Sequence, residues 1–141
     1  FLDMVENHKM VVENSGLLTV AALKDLNVTG KKVVAVMSGG NMDVITMSSV
    51  VQQGLILRDR IFTVSVLLPD KPGELSRVSN VIAKQNGNVI KLEHNQFVSI
   101  NRSAAVELRI TLEAFGTEHK AQIIGALERE GYQPKVVRTN I

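Results

Sequence analysis

In residues 104–114, AAVELRITLEA, every second side chain is apolar: Val106, Leu108, Ile110 and Leu112 fall on one side, and Glu107, Arg109, Thr111 and Glu113 on the other. Only an extended strand sends alternate residues to opposite faces, so this stretch belongs to a sheet with one covered and one open face. The period recurs in RIFTVSVLLPD (60–70), where Phe62, Val64, Val66 and Leu68 alternate with Thr63 and Ser65. A sheet with one covered face needs a second layer, and two segments supply the helical period for it. In PGELSRVSNVIAKQNG (72–87), Leu75, Val78, Val81 and Ile82 recur at helical spacing, with Pro72 suited to the first turn and Gly87 to the end. In TEHKAQIIGALEREG (117–131), Ile123, Ile124 and Leu127 form the apolar side, with Thr117 as the expected cap and Gly131 as the stop.

With NVIKLEH (88–94) and QPKVVR (133–138) as further strands, the order from residue 60 onward is β-α-β-β-α-β. That order predicts an α+β, ferredoxin-like sandwich, four strands in one sheet with two helices on one face. The opposite face carries Thr63, Ser65, Lys91, Glu93, Glu107 and Arg109, so it is either wet or paired with another subunit. The polar insert NQFVSINRSA (95–104) reads as a mobile hairpin loop between the second and third strands.

Before residue 57 the pattern differs. KMVV (9–12) suggests a short strand and LLTVAALKDL (17–26) a helix broken by NVTG. KKVVAVM (31–37) has five apolar residues in succession, the mark of a strand covered on both faces, and after SGGN a helix runs from about Met42 to Gln53 with Gly54 as its stop. Alternating strands and helices of this kind predict an α/β segment, so two domains are expected, 1–57 and 60–141. The opening FLDMVENHKM reads as the last turns of a helix entered part-way, so a truncation point or a processed start is expected at residue 1.

Composition narrows the function. Sixteen basic residues against 14 acidic ones give a formal charge of +2 with no basic stripe, and aromatics are 4% with no Trp, so nucleic-acid binding is not expected. Without cysteine there is neither a disulfide framework nor a thiolate metal site, and His8 and His119 lack companions at ligand spacing, so no metal is expected. No run is long and apolar enough for a membrane span, and there is no signal-peptide pattern, so the chain reads as cytoplasmic. No Ser/His/Asp arrangement supports hydrolase chemistry.

Two stretches carry a specific resemblance. VVENSGLLTVAAL (11–23) with GKKVVAVMSGGNMD (30–43) resembles the end of the catalytic domain of threonine and serine dehydratases, pyridoxal-phosphate enzymes of fold type II, the tryptophan-synthase-β type. LPDKPGELSRVSNVIAKQNGNVIKLEHNQ (68–96) resembles the start of an ACT domain, a regulatory module that binds amino acids. The first resemblance implies that the Ser38 hydroxyl meets the pyridine nitrogen of the cofactor, that Gly39 and Gly40 allow close approach, and that Asn41 caps the following helix. Glu13, Ser15 and Gly16 match the Glu-x-Ser-Gly of that family and imply a wall of the site, with Leu17 where the family usually has Ala. A neutral hydroxyl at the pyridine nitrogen makes the ring a weaker electron sink, which suits β-elimination from threonine or serine. The Schiff-base lysine and the phosphate-cradling loop of the family precede this region, so the chain alone is expected to be inactive, with cofactor bound only in the parent.

The second resemblance implies an effector site. Asp70, Lys71, Pro72, Gly73, Glu74 and Leu75 lead into a helix whose first amides can receive a carboxylate, and Asn88, Val89 and His94 on the second strand of a partner subunit would form the other wall. Isoleucine, valine, serine and threonine are the candidate effectors, and a homo-oligomer through the ACT domains is implied. A different reading makes the module a constitutive dimerisation device, with strands 61–68 and 104–113 pairing face to face or edge to edge. Taken as a plain turn, Asp70 to Leu75 needs no ligand, and Asp43 reads as helix-dipole compensation.

Overall fold

The computed structural model describes residues 1–95 and 105–140, so most of the insert expected to form a hairpin loop lies outside the described residues. The chain divides into two compact units, Phe1–Gly54 and Leu55–Ile141.

In the second unit, β1 (Ile61–Pro69), α3 (Glu74–Lys84), β2 (Asn88–Asn95), β3 (Ala105–Glu113), α4 (Thr117–Arg129) and β4 (Lys135–Val137) follow in the expected βαββαβ order. The sheet order is β2-β3-β1-β4, and every pairing is antiparallel. The alternation decides which face is covered. Phe62, Val64, Val66 and Leu68 of β1 and Leu108, Ile110 and Leu112 of β3 join Val78 and Ile82 of α3 and Ile123 and Leu127 of α4 in one core. Because β1 and β3 are the central strands, neither can offer an edge to a second copy; the edges belong to β2 and β4.

Helix ends follow local chemistry that the sequence shows only in part. Gly131, at φ 88°, ends α4 as expected, with the amide of Tyr132 on the Leu127 carbonyl at 3.1 Å. At the end of α3 the left-handed position is taken by Asn86 rather than Gly87. Pro72 lies before α3, not in its first turn: Lys71–Glu74 is a type II turn with Gly73 at φ 93°, closed by the Glu74 amide on the Lys71 carbonyl at 3.4 Å. Thr117 is the first residue of α4 rather than its cap, a position held by Gly116 at φ 131°.

The first unit departs further from its sequence pattern. It contains a π-type turn (Met4–His8), α1 (Asn14–Ala22) and most of α2 (Val44–Leu57). Neither 9–12 nor 31–37 forms a strand, and Val34 and Val36 stand 87% and 69% exposed. A strand covered on both faces needs neighbouring strands to take its amides and carbonyls, and the first unit has none among the described residues. Gly54 does not end α2 either; the helix passes through it, and a Cβ there would meet Leu2 Cδ1 at 2.5 Å. The stop comes at Asp59, at φ 54°, where the amides of Asp59 and Arg60 bond the carbonyls of Ile56 (3.0 Å) and Leu55 (2.9 Å) in a Schellman motif.

Candidate functional site

Two clusters carry the residues singled out by sequence. In the first unit the Glu-x-Ser-Gly stretch and the Ser-Gly-Gly turn, more than twenty residues apart in sequence, come together. The Glu13 amide bonds the Gly39 carbonyl at 3.1 Å, and Ser15 Oγ donates to Glu13 Oε1 at 2.5 Å. Both glycines are required by this contact. A Cβ on Gly16 would lie 1.9 Å from the Ser38 carbonyl oxygen, and one on Gly39, itself at φ 81°, would lie 2.4 Å from Glu13 Cδ. Thr19 Oγ1 adds a bond to the Val36 carbonyl at 3.1 Å.

The turn is therefore pinned on one side by α1, while Ser38 itself is exposed. For a pyridine ring the fit rests on that residue: one neutral hydroxyl at a fixed place is the chemistry the resemblance asks of it. Glu13 stands as a wall against Gly39, and Gly40 is open enough that a Cβ would only reach the Val11 carbonyl at 3.5 Å. Asn41 does not cap α2. Asp43 does, accepting the Thr46 amide at 2.9 Å and the Thr46 hydroxyl, and these bonds hold its carboxyl below the ordinary aspartate range.

In the second unit, Asp70, Lys71, Pro72, Gly73 and Leu75 are exposed around the start of α3. The first-turn amides of a helix have no intrahelical partner; the Glu74 amide is taken by the Lys71 carbonyl, so Leu75 and Ser76 are the N–H donors this exposed start offers, with the positive end of the helix dipole behind them. Glu74 is committed to the scaffold: it pairs with Arg77 at 3.3 Å and accepts from Tyr132 Oη at 3.4 Å. Burial pushes the Tyr132 phenol up, and the nearby Glu74 charge adds to this.

The three candidates on β2 do not share a face. Asn88 lies opposite Glu113 and donates to its Oε2 at 3.2 Å, on the helix-free side. Val89 lies opposite Leu112 and His94 opposite Leu108, both on the helix side. A register shift between Val89 and Lys91 reverses the alternation. Sequence reasoning could not see it, because Ile90 looks like any other strand residue. The shift thus brings Val89 and His94 to one face of an exposed edge strand and leaves Asn88 on the other.

The helix-free face also holds residues that alternation alone left as either wet or paired with another subunit. Thr63, Ser65, Glu107 and Thr111 are buried, with Thr63 and Thr111 hydroxyls 3.0 Å apart and Ser65 Oγ donating to Glu107 Oε1 at 2.6 Å. Arg109 Nε donates to the same oxygen at 3.1 Å. The Ser65 bond, then Arg109 against the opposing effect of burial, hold the Glu107 carboxyl below its ordinary range. Lys91 and Glu93 stay exposed and pair at 2.9 Å. Among the described residues no cluster of three or more His, Cys, Asp or Glu could hold a metal ion, and no helix is long and apolar enough to cross a membrane.

The βαββαβ sandwich of the second unit is the arrangement of a small ferredoxin-like module, and residues 62–131 match the family model described as the ACT domain. The second unit of this chain is an ACT domain of ferredoxin-like fold. The relatives extend across both units. Over 137 residues, 96% of the chain, it is 36% identical to an L-threonine ammonia-lyase of Geobacter sulfurreducens and 31% identical to one of Thermotoga maritima, covering 34% of each. An L-threonine dehydratase biosynthetic IlvA of Staphylococcus aureus is 29% identical over 107 residues, 74% of this chain and 25% of that protein. The chain thus spans about a third of the length of the two relatives it matches over most of its own length.

Proposed function

We propose that the chain is the regulatory C-terminal portion of a threonine or serine dehydratase, with 1–57 the end of the cofactor domain and 60–141 an effector-binding ACT domain. The observation that carries this reading is the single continuous likeness to threonine ammonia-lyases across both units, in one order. In the parent, pyridoxal phosphate would supply the electron sink for β-elimination of water from L-threonine, yielding 2-oxobutanoate and ammonia. Ser38 would donate its hydroxyl to the pyridine nitrogen, with Gly39 and Gly40 giving the ring close approach and Glu13 walling the turn. The Schiff-base lysine belongs to the part of the parent outside this chain, which is inactive alone.

In the ACT domain an amino-acid effector would place its carboxylate on the first-turn amides of α3, inside the loop Asp70–Leu75. Leu75, 43% exposed, offers that ligand an apolar wall. Val89 and His94, exposed on the β2 edge of the other subunit of a homo-oligomer, would close the site. Isoleucine, valine, serine and threonine each carry the α-carboxylate this recognition requires. Calorimetric titration of the four onto the purified chain tests it: saturable binding of at least one is expected, and silence from all four at millimolar concentration overturns the effector site.

One observation favours a second reading, a constitutive dimerisation module without effector. Val89, Ile90 and Leu92 are partly exposed along the free edge of β2, and an apolar edge invites strand pairing. Sizing the chain with and without amino acids separates the two readings, since this one requires dimers that no amino acid alters.

A further inference from the structure

The joint between α2 and β1 is fastened to the corner where β3 turns into α4. Asp59 sits in the left-handed conformation at φ 54°, a position that costs a residue with a Cβ about 1 kcal/mol and that Gly or Asn would fill more cheaply. Its side chain accounts for the choice. Asp59 Oδ1 takes Lys120 Nζ at 2.6 Å and Oδ2 takes Thr117 Oγ1 at 2.9 Å, both donors coming from the first turns of α4.

The Lys120 ammonium also stands 5.5 Å from the centroid of the Phe62 ring, at the start of β1. The main chain adds a second fastening: the Ala114 amide bonds the Arg60 carbonyl at 2.8 Å. Gly116, at φ 131°, makes the corner in a conformation that side chains rarely adopt. The Asp59 and Lys120 side chains are only 26% and 20% exposed, so solvent screens this pair less than an ordinary surface pair.

We propose that Asp59, Lys120 and Thr117 form a releasable clamp: closed, it ties the last turn of α2 to the ACT sandwich, and opened, it frees that turn while the sheet stays folded. The chain passes from one unit to the other once, at Gly54–Leu55 within α2, so any signal carried along the backbone must cross residues 55–60. Resting on the effector reading above, the clamp is the two-state element such a signal would bias, by no more than the effector's differential affinity for its two states.

Hydrogen exchange of the intact chain with no added amino acid tests the clamp directly, comparing wild type, Asp59→Asn, Lys120→Met and the double variant. Asn keeps the left-handed backbone and removes the charge, while Met keeps the apolar stem over Phe62. Each single variant should speed exchange at residues 55–60 by about fivefold or more. The double variant should add little, and β1 and β3 should stay within about twofold of wild type. Unchanged exchange at 55–60, or an equal rise in the sheet, overturns the clamp. A second arm adds saturating isoleucine, valine, serine or threonine. Binding should alter exchange at 55–60 in wild type, and Asp59→Asn should lose most of that change and shift the affinity by no more than the effector's differential affinity for the two clamp states. If no amino acid binds, the effector reading fails and the first arm still decides the clamp.

Discussion

The two units of this chain answer the same physical demand in opposite ways. The ACT domain closes on itself: both helices lie over the apolar face of its sheet, and Val64, Leu108, Ile123 and Leu127 are completely inaccessible. The first unit has few buried apolar side chains, chiefly Leu2, Met4 and Val12, and leaves Leu18, Val34, Val36, Val44 and Ile45 at 67% exposure or more. An apolar pattern becomes a strand only where partners exist to share its hydrogen bonds and cover its faces. The lesson is that VVAVM and AVELRITLE state their needs equally clearly, and only the second finds them met within this sequence.

Core truncation should break the contrast most visibly. Leu108→Ala, removing a fully buried side chain, should cost about 2–5 kcal/mol in urea denaturation, whereas Val34→Ala should cost less than about 0.5 kcal/mol. A large cost for Val34→Ala would show that the 31–37 run is covered in solution after all. The Glu13 to Ser38 contact should come next: Gly16→Ala forces a Cβ into the Ser38 carbonyl and should cost about 1–3 kcal/mol of local order, read as loss of exchange protection at the Glu13 amide with the ACT amides unaffected.

Acid should act on both units, through Asp43 in the first and two carboxylates in the second. Asp59 and Glu107 are both held below their ordinary ranges in the folded state. The stability each contributes is therefore present above the unfolded pKa values, about 4, and is lost as pH falls through them towards the lowered folded values. The urea midpoint should decline between pH 6 and pH 3, and less steeply in Asp59→Asn. An identical decline in the variant would remove Asp59 from the account. A modest effect is expected at Gly73→Ala: a Cβ there meets nothing within 4 Å, so only the left-handed backbone is strained, at about 1 kcal/mol, and a thermal melt should register a shift of a few degrees.

The sandwich was legible because period two and period 3.6 residues alternate cleanly after residue 60, and the turns between them carry Pro72, Gly73 and Gly131 where the backbone wants them. What sequence could not show is where local geometry overrides pattern. The register shift at Ile90 puts Val89 and His94 on the same face and parts Asn88 from His94, which plain alternation would have kept together, so the candidate wall on β2 loses one member. The stop of α2 falls at Asp59 and not at the more obvious Gly54, and the left-handed Asp59 also turns its carboxylate to Lys120. Asn41 yields the cap to Asp43, which is in reach of the Thr46 amide. The polar face looked simply outward by alternation, yet Ser65 and Glu107 are buried in a hydrogen-bonded layer that spacing cannot distinguish from a wet surface. The Glu13–Ser38 cluster was visible as two motifs and not as a contact, since nothing in spacing alone brings residues 13 and 38 together.

The central claim is that the start of α3 receives the carboxylate of an amino acid, and amide-resolved NMR titration tests it most directly. Adding isoleucine, valine, serine and threonine in turn to the labelled chain should, for at least one, shift the Leu75 and Ser76 amides saturably, with smaller changes at Val89 and His94. Shifts confined to other parts of the chain, or none at millimolar amino acid, would contradict the account.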